Sequence, residues 1–285
     1  MKGRIVDSHQ HFWQVGLFDY PWMSSESKVL YRDYLPEMLE PVLRENGVAQ
    51  TVLVQASNSV AETRWLLSLA EQHPFIAGVV GWVDLAGQDC DRQLEELTAY
   101  PKFKGVRHLV ESEPDDGWLT QATVLRGLRA LSSRGLSYDL LVHTRHLSHV
   151  KALIESCPEL RLVVDHLAKP PVKSGERQEW ERALREVAAF ENVSCKLSGL
   201  VTEADHASWR TEELRPYVEC ALTLFGPRRL MFGSDWPVCL LAASYAQVLE
   251  SFQRLLEDLS EDEKACIMGA NATEVYRLGK EARAA

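Results

Sequence analysis

No two cysteines of this chain stand in CxxC spacing: Cys90, Cys157, Cys195, Cys220, Cys239 and Cys266 are scattered singly over 285 residues. That scatter argues against a thiolate zinc knuckle and against a disulfide framework, and it fits buried thiols in a reducing compartment. Positive charge is scarce too, with 31 Lys and Arg against 41 Asp and Glu and a net charge of -10. An acid excess of this kind argues against a nucleic-acid or anionic-membrane surface as partner. No apolar run approaches membrane-spanning length, and none follows Met1-Lys2-Gly3-Arg4 as a targeting segment would. A soluble, cytoplasmic protein is expected, binding small molecules or other proteins, with monomer and homodimer both open. The first apolar run leads into DSHQHFW and not into GxGxxG, which argues against a dinucleotide-binding sheet. Low-complexity segments and an obvious domain linker are absent as well.

What is present is a repeating alternation. The hydrophobic content of 46% over this length suffices for one large core. Eight β-branched or apolar runs of strand length contain Ile5, Val52, Val79, Val106, Leu140, Val163, Cys195 and Met231 in turn. The first spans about 3–7. Helical patterns follow near 35–46, 60–72, 90–100, 118–134, 147–156, 177–190, 212–225 and 245–259. Runs such as TVLV and RLVV are apolar throughout, as strands buried on both faces require. Eight parallel β-α units close a barrel, so the expected fold is α/β: a (β/α)8 TIM barrel, one domain over 1–285. The aromatic and polar stretch at about 12–34 has neither period and is expected as a long functional loop over the barrel mouth.

Polar residues gather where the strands end: His9 and His11, Gln55 and Ser57, Trp82 and Asp84, Arg107 and His108, His143 and Arg145, Asp165 and His166, Lys196 and Ser198, and Asp235. In a barrel those ends converge on one mouth. His9 and His11 stand at i and i+2, so an extended segment sends both imidazoles to the same face. Alone, such a pair also fits a hydrogen-bonded structural pair. With His166 and Asp235 it offers the nitrogen and carboxylate ligands that zinc or a similar divalent ion accepts. Asp235, in LMFGSDWP, is a candidate ligand or general base, the alternative being a turn cap. Period 2 sends Asp165 and His166 to opposite faces while the strand lasts, putting His166 at the mouth and Asp165 in a supporting hydrogen bond, the alternatives being a slipped strand end that exchanges them and a structural role for both.

Arg107 is a candidate anion clamp through its fork of donors. His143 fits a fourth nitrogen ligand, a donor to substrate or a satisfied buried imidazole. Lys169 fits the mouth or its rim. Gln55 joins the substrate-facing set at strand two. Trp13, Trp82 and Trp236, with Tyr20 and Trp22, fit either a platform for the C–H face of a sugar or simple filling of a crowded mouth. His73, His146, His149 and His206 are expected as loop, capping or solvated residues.

DSHQHFW, KGVRH, DHLAKP and FGSDWPV, in this order over nearly the whole length, give the resemblance its basis. The chain resembles the amidohydrolase-related metal-dependent hydrolases of TIM-barrel fold, in the branch of L-fuconolactonase and L-rhamnonolactonase. The resemblance implies hydrolysis of a sugar-derived lactone to the open aldonic acid, in the breakdown of deoxy or acidic sugars. It implies that His9 and His11 are the first-strand pair, His166 the sixth-strand histidine and Asp235 the eighth-strand aspartate, with Arg107 orienting the substrate. Arg107 and His108 stand where many binuclear relatives place a bridging lysine, which implies a single ion, zinc, with metal-free catalysis as the rival. The expected mechanism is attack on the lactone carbonyl by water activated at Asp235. Alternatives are a metal-dependent decarboxylase of a small unsaturated or aromatic acid, an amide or cyclic-imide hydrolase, and a non-enzymatic ligand-binding barrel.

Overall fold

A computed structural model describes residues 4–279. Gly3, where the first strand is expected to begin, lies outside the described residues, as do the ends of the expected 1–285 domain. The elements alternate throughout. β1 (Ile5–Gln10), β2 (Val48–Val54), β3 (Ile76–Gly81) and β4 (Phe103–His108) lead to α1 (Pro36–Glu45), α2 (Val60–Gln72), α3 (Cys90–Thr98) and α4 (Ala122–Ser133). β5 (Ser137–Leu140) and β6 (Arg161–Val164) lead to α5 (Leu147–Ser156) and α6 (Gln178–Ala188). β7 (Val193–Leu197) is followed by α7 (Leu200–Glu203) and α8 (Thr211–Phe225), and β8 (Leu230–Phe232) by α9 (Tyr245–Leu255), α10 (Glu261–Ala265) and α11 (Asn271–Val275).

The strands form one parallel sheet in sequence order. It closes beyond β8, where Asp235 N–H donates to the His9 carbonyl (2.8 Å) and His11 N–H to that of Trp236 (2.7 Å). The closing seam therefore runs through the residues of chemical interest. Two apolar layers hold the barrel. One, with Leu39, Leu66, Leu94, Leu128, Val150, Leu184 and Phe252, fills the space between strands and helices. The other, with Val6, Val52, Val80, Val163, Met231 and Tyr276, fills the lumen from below. Gly269 makes room at that lower end, since a Cβ there would stand 2.1 Å from the Arg4 carbonyl oxygen.

Several elements differ from expectation: β1 runs on to Gln10, past its expected end near Asp7, and α7, α10 and α11 are additional short helices. The 118–134 helix divides into a 3-10 turn at Trp118–Thr120 and α4, because Gln121 is extended between them. Trp118 is pinned by its stack on His108, centroids 3.9 Å apart. The 245–259 helix ends at Leu255. The stretch between Gln10 and Pro36 has only the isolated bridges Trp13↔Tyr34 and Val15↔Phe18. Tryptophans anchor it: Trp13 Nε1 donates to the Leu30 and Arg32 carbonyls (3.2 and 2.8 Å), and Trp22 Nε1 to that of Ala56 (2.7 Å). No described helix is long and apolar enough to cross a membrane.

Glu62 at the start of α2 carries a test of this interior. Its buried carboxylate accepts from the N–H groups of Ala56 (3.1 Å) and Ser57 (2.9 Å), and burial pushes its pKa up to about 8. A folded-state pKa raised above the unfolded one gives stability that is full below the unfolded value and is lost as pH rises toward about 8. Glu62→Gln keeps an oxygen for both N–H groups and has no charge to bury. Its melting temperature is expected to exceed the parent's at pH 8, by upwards of about 1 kcal/mol in stability, and to converge on it near pH 5. Thermal melts across that range check this, and a parallel offset would defeat it.

Candidate active site

The site begins with Asp7, buried in β1. Its carboxylate accepts from His9 N–H (3.1 Å), Ser234 N–H (2.9 Å) and Tyr245 Oη (3.0 Å). These bonds tie the end of β1 to the segment after β8, and so carry Asp235 to the two histidines. Burial pushes Asp7 up to about 6, opposed by the same hydrogen bonds.

Three imidazoles surround one carboxylate oxygen. Asp235 Oδ1 lies 3.8 Å from His9 Nε2, 3.4 Å from His11 Nε2 and 3.8 Å from His166 Nε2. The Nε2 atoms of His9 and His11 are 3.1 Å apart. His11 Nδ1 stands 2.8 Å from the Val54 carbonyl, which accepts only, so Nδ1 carries the proton and Nε2 presents a lone pair. Behind His166, Nδ1 meets Ser198 Oγ at 2.8 Å. Burial holds His9 well below the usual histidine range, lowers His11, and brings His166 down to about 4. All three rings are thus neutral at pH 7. Burial raises the Asp235 carboxyl, but the facing His166, His11 and Arg107 outweigh it and hold Asp235 below its ordinary value.

His166 lines the cavity and Asp165 does not, lying wholly buried on Arg107, but strand alternation is not what separates them. β6 ends at Val164, and His166, Leu167, Ala168 and Lys169 all have φ between 51° and 57°. Strand alternation stops there, and the left-handed run swings His166 inward beside Asp165. Gly199 (φ +68°) admits that ring, because a Cβ there would meet His166 Cγ at 2.7 Å. Asp165 does more than support one hydrogen bond. Oδ2 accepts from Arg107 Nη1 (3.1 Å), while Oδ1 lies 2.9 Å from Lys196 Nζ as an ion pair and 3.4 Å from His9 Nδ1, both lacking hydrogen-bond alignment. Opposite charges at this range overcome the burial that would raise its pKa, and hold Asp165 well below the ordinary carboxylate value.

Beneath the imidazoles lies a charged layer only partly read from sequence. Lys196 Nζ donates to Asp139 Oδ2 (2.6 Å) and stands 3.0 Å from His9 Nδ1, while Tyr276 Oη donates to the same Asp139 oxygen (2.7 Å). The strand-end pattern includes Lys196 without giving it a role, and it does not include Asp139. The available signal was a charged residue inside SYDL and VSCKL, strands that should be buried on both faces.

Above the histidines opens a cavity of about 200 Å³. Of the expected substrate-facing residues, Arg107 and Lys169 line it, together with His11, His166 and Asp235. The others are elsewhere among the described residues. Trp13 is wholly buried on the carbonyls it serves. Gln55 braces Arg107, donating to its carbonyl (3.2 Å) and accepting from Nη2 (3.3 Å). Trp82 donates to His108 Nδ1 (2.9 Å), and Trp236 packs edge-on to Phe12 and Tyr34. His143 is partly exposed and meets the wall through Glu111, its Nε2 3.3 Å from Oε2. Of the five aromatic candidates Trp22 lines the wall, which also gains Glu111 and Glu203.

His9, His11 and Asp235 form one trio whose ligand atoms lie within 4.8 Å of one another, and His9, Asp165 and His166 form another. The first trio, joined by His166, suits a divalent ion better, because Arg107 and Lys196 already engage Asp165. Neutral imidazole nitrogen with one carboxylate oxygen is a donor set zinc accepts.

The amidohydrolase family model matches residues 6–278. Over 280 residues the chain is 40% identical to an L-fucono-1,5-lactonase of Burkholderia ambifaria, covering 96% of each sequence. Over 290 residues it is 41% identical to an L-fucono-1,5-lactonase of Burkholderia multivorans, covering 98% of each. A crystal structure of an amidohydrolase from Burkholderia multivorans with bound zinc superposes with a TM-score of 0.90 at 40% identity, over 96% of this chain and 99% of that one.

Proposed function

The chain belongs to the amidohydrolase family, and from that premise we propose that its cavity hydrolyses a sugar-derived aldonolactone, such as L-fucono-1,5-lactone, to the open-chain acid. It is a hydrolase of a carboxylic ester closed into a ring, as its lactonase relatives are. The observation that carries this reading is the single Asp235 oxygen set among three imidazoles, two of which, His11 and His166, line the cavity with it.

Asp235 divides its two oxygens. Oδ1 faces the histidines, and Oδ2 has no hydrogen bond among the described residues, leaving it for the proton of the attacking water. Water oxygen bonds to the lactone carbonyl carbon as its proton passes to Oδ2. The ring C–O bond then breaks and the departing alkoxide takes that proton back. Arg107 lines the cavity, and its guanidinium is assigned to orienting the lactone through an oxygen of the ring. The cofactor is a divalent metal, zinc, held by His9, His11, His166 and Asp235; when bound it supplies Lewis acidity toward the carbonyl and toward water. A cavity of about 200 Å³ is below the usual range for drug-sized ligands, and fits one sugar ring.

Proton release from freshly prepared aldonolactones, corrected for spontaneous hydrolysis, tests the activity. Carbon dioxide or amine release in its place would sink the reading in favour of a decarboxylase or an amide hydrolase. Chelation is expected to abolish lactone opening and zinc to restore it, with the melting transition still cooperative in the chelated protein. Full turnover in a metal-depleted sample would remove the ion and leave the lactonase reading standing.

A further inference from the structure

Three loops from the ends of β4, β6 and β7 build one wall of the cavity and bring Glu111, Lys169 and Glu203 to it. The cations on this wall are already engaged. Lys169 Nζ donates to Glu111 Oε2, and Glu111 also faces His143 Nε2 at 3.3 Å. Arg107 on the floor is neutralised by Asp165 at 3.1 Å and braced by Gln55. Of the lining carboxylates, Glu111 has Lys169 and Asp235 has the imidazoles. Glu203, at the end of α7, has neither. It is half-buried, and its carboxylate makes no hydrogen bond or ion pair among the described residues. Its backbone carbonyl is held by Lys173 N–H (3.0 Å), so the residue is fixed at the wall while its acid group stays free. Burial raises the pKa of Glu203, Glu111 and Asp235 raise it further, and Lys169 and His143 oppose them.

A free carboxylate on the wall of a small cavity accepts hydroxyl groups through charge-assisted hydrogen bonds. The same charge, beside Glu111 and Asp235 and without a spare cation among the described lining residues, repels a substrate that brings its own carboxylate. We propose that Glu203 sets the specificity of this cavity: it accepts hydroxyls of an uncharged polyhydroxylated lactone and turns away lactones bearing a free carboxylate. This assignment rests on the lactonase reading. It excludes lactones that keep a second, free carboxylate, such as the monolactones of aldaric acids, and it places the discrimination in charge, not in shape.

The test compares a neutral aldonolactone with the monolactone of an aldaric acid of equal chain length, on the full chain loaded with zinc. The parent is expected to favour the neutral ring by at least ~100-fold in kcat/KM, the scale on which an uncompensated like charge discriminates. Glu203→Gln conserves size and removes charge. It should lower kcat/KM on the neutral lactone by roughly 10-fold, chiefly through KM, and raise that on the anionic lactone by about as much. Glu203→Asp shortens the side chain and keeps the charge, so it should retain the parent's preference despite a higher KM. A merely structural Glu203 predicts the reverse order, with the glutamine variant like the parent and the aspartate variant impaired on both lactones. That order, or a preference unchanged in folded Glu203→Gln, overturns the assignment. So does a parent that opens both lactones equally well, which leaves the lactonase reading intact. A parent that opens neither sinks the lactonase reading and the assignment with it.

Discussion

An Asp235→Asn protein is expected to fold and melt close to the parent while opening lactones at least ~100-fold more slowly, the usual scale of a general base. The expectation for folding comes from the backbone. Asp235 has φ 57°, a left-handed conformation that asparagine accepts about as readily as aspartate. Its N–H still reaches the His9 carbonyl (2.8 Å), and its own carbonyl still receives Cys239 N–H (2.9 Å), so the closing seam survives. What changes is confined to one atom. The amide cannot take a proton from water, and where its oxygen stays among the three imidazoles its NH2 replaces the free Oδ2. The loss should therefore fall on kcat more than on KM, because proton transfer stabilises the transition state and leaves binding of the neutral ring untouched. Zinc content has to be measured on the same sample, since Asp235 is also an assigned ligand. With saturating zinc the deficit should persist. Near-parental turnover would remove Asp235 from the centre of the chemistry.

Much of the frame around Asp235 was legible in sequence, because burial on both faces writes strands as apolar runs and amphipathic helices write a period of 3.6. α2 and α5 begin and end where their patterns do, Ser59 capping the first through a hydrogen bond from Glu62 N–H. Two histidines at i and i+2 were enough to put two rings on one face. The period failed at β6, where four consecutive non-glycine residues turn left-handed. Such residues carry no local mark of that conformation, and only tertiary contact enforces it. The tryptophans were ambiguous for another reason: an indole fills a core as well as it lines a sugar site. Trp13 and Trp22 differ by which carbonyls their N–H groups find, and that is set by residues far along the chain. Asp139 and Lys196 could be seen as misplaced charges, but not as partners, since 57 positions separate them.

Lys196→Met should be the most destabilising of these changes, at about 3–5 kcal/mol, the cost of leaving buried charge without its partner. Methionine fills much the same space, so the loss is electrostatic and not a cavity. The ammonium is wholly buried and has three partners, Asp139 Oδ2 at 2.6 Å, Asp165 Oδ1 at 2.9 Å and His9 Nδ1 at 3.0 Å. Without it Asp165 keeps Arg107 at 3.1 Å, while Asp139 keeps only hydroxyl donors, chiefly Tyr276 Oη at 2.7 Å. Asp139 is therefore where the penalty lands. Burial already raises its pKa against the opposing pull of Lys196. Once that pull is gone, its folded-state pKa stands further above the unfolded one, and stability falls as pH rises between the two. The melting gap between parent and variant should thus be widest at alkaline pH and narrow on acidification. Adding Asp139→Asn should recover a good part of the loss, because an amide still accepts from Tyr276 and demands no cation. Melts of parent, single and double variants at pH 5 and pH 8 decide it. If Lys196→Met melts with the parent at pH 8, Lys196 is not compensating the buried charge of Asp139.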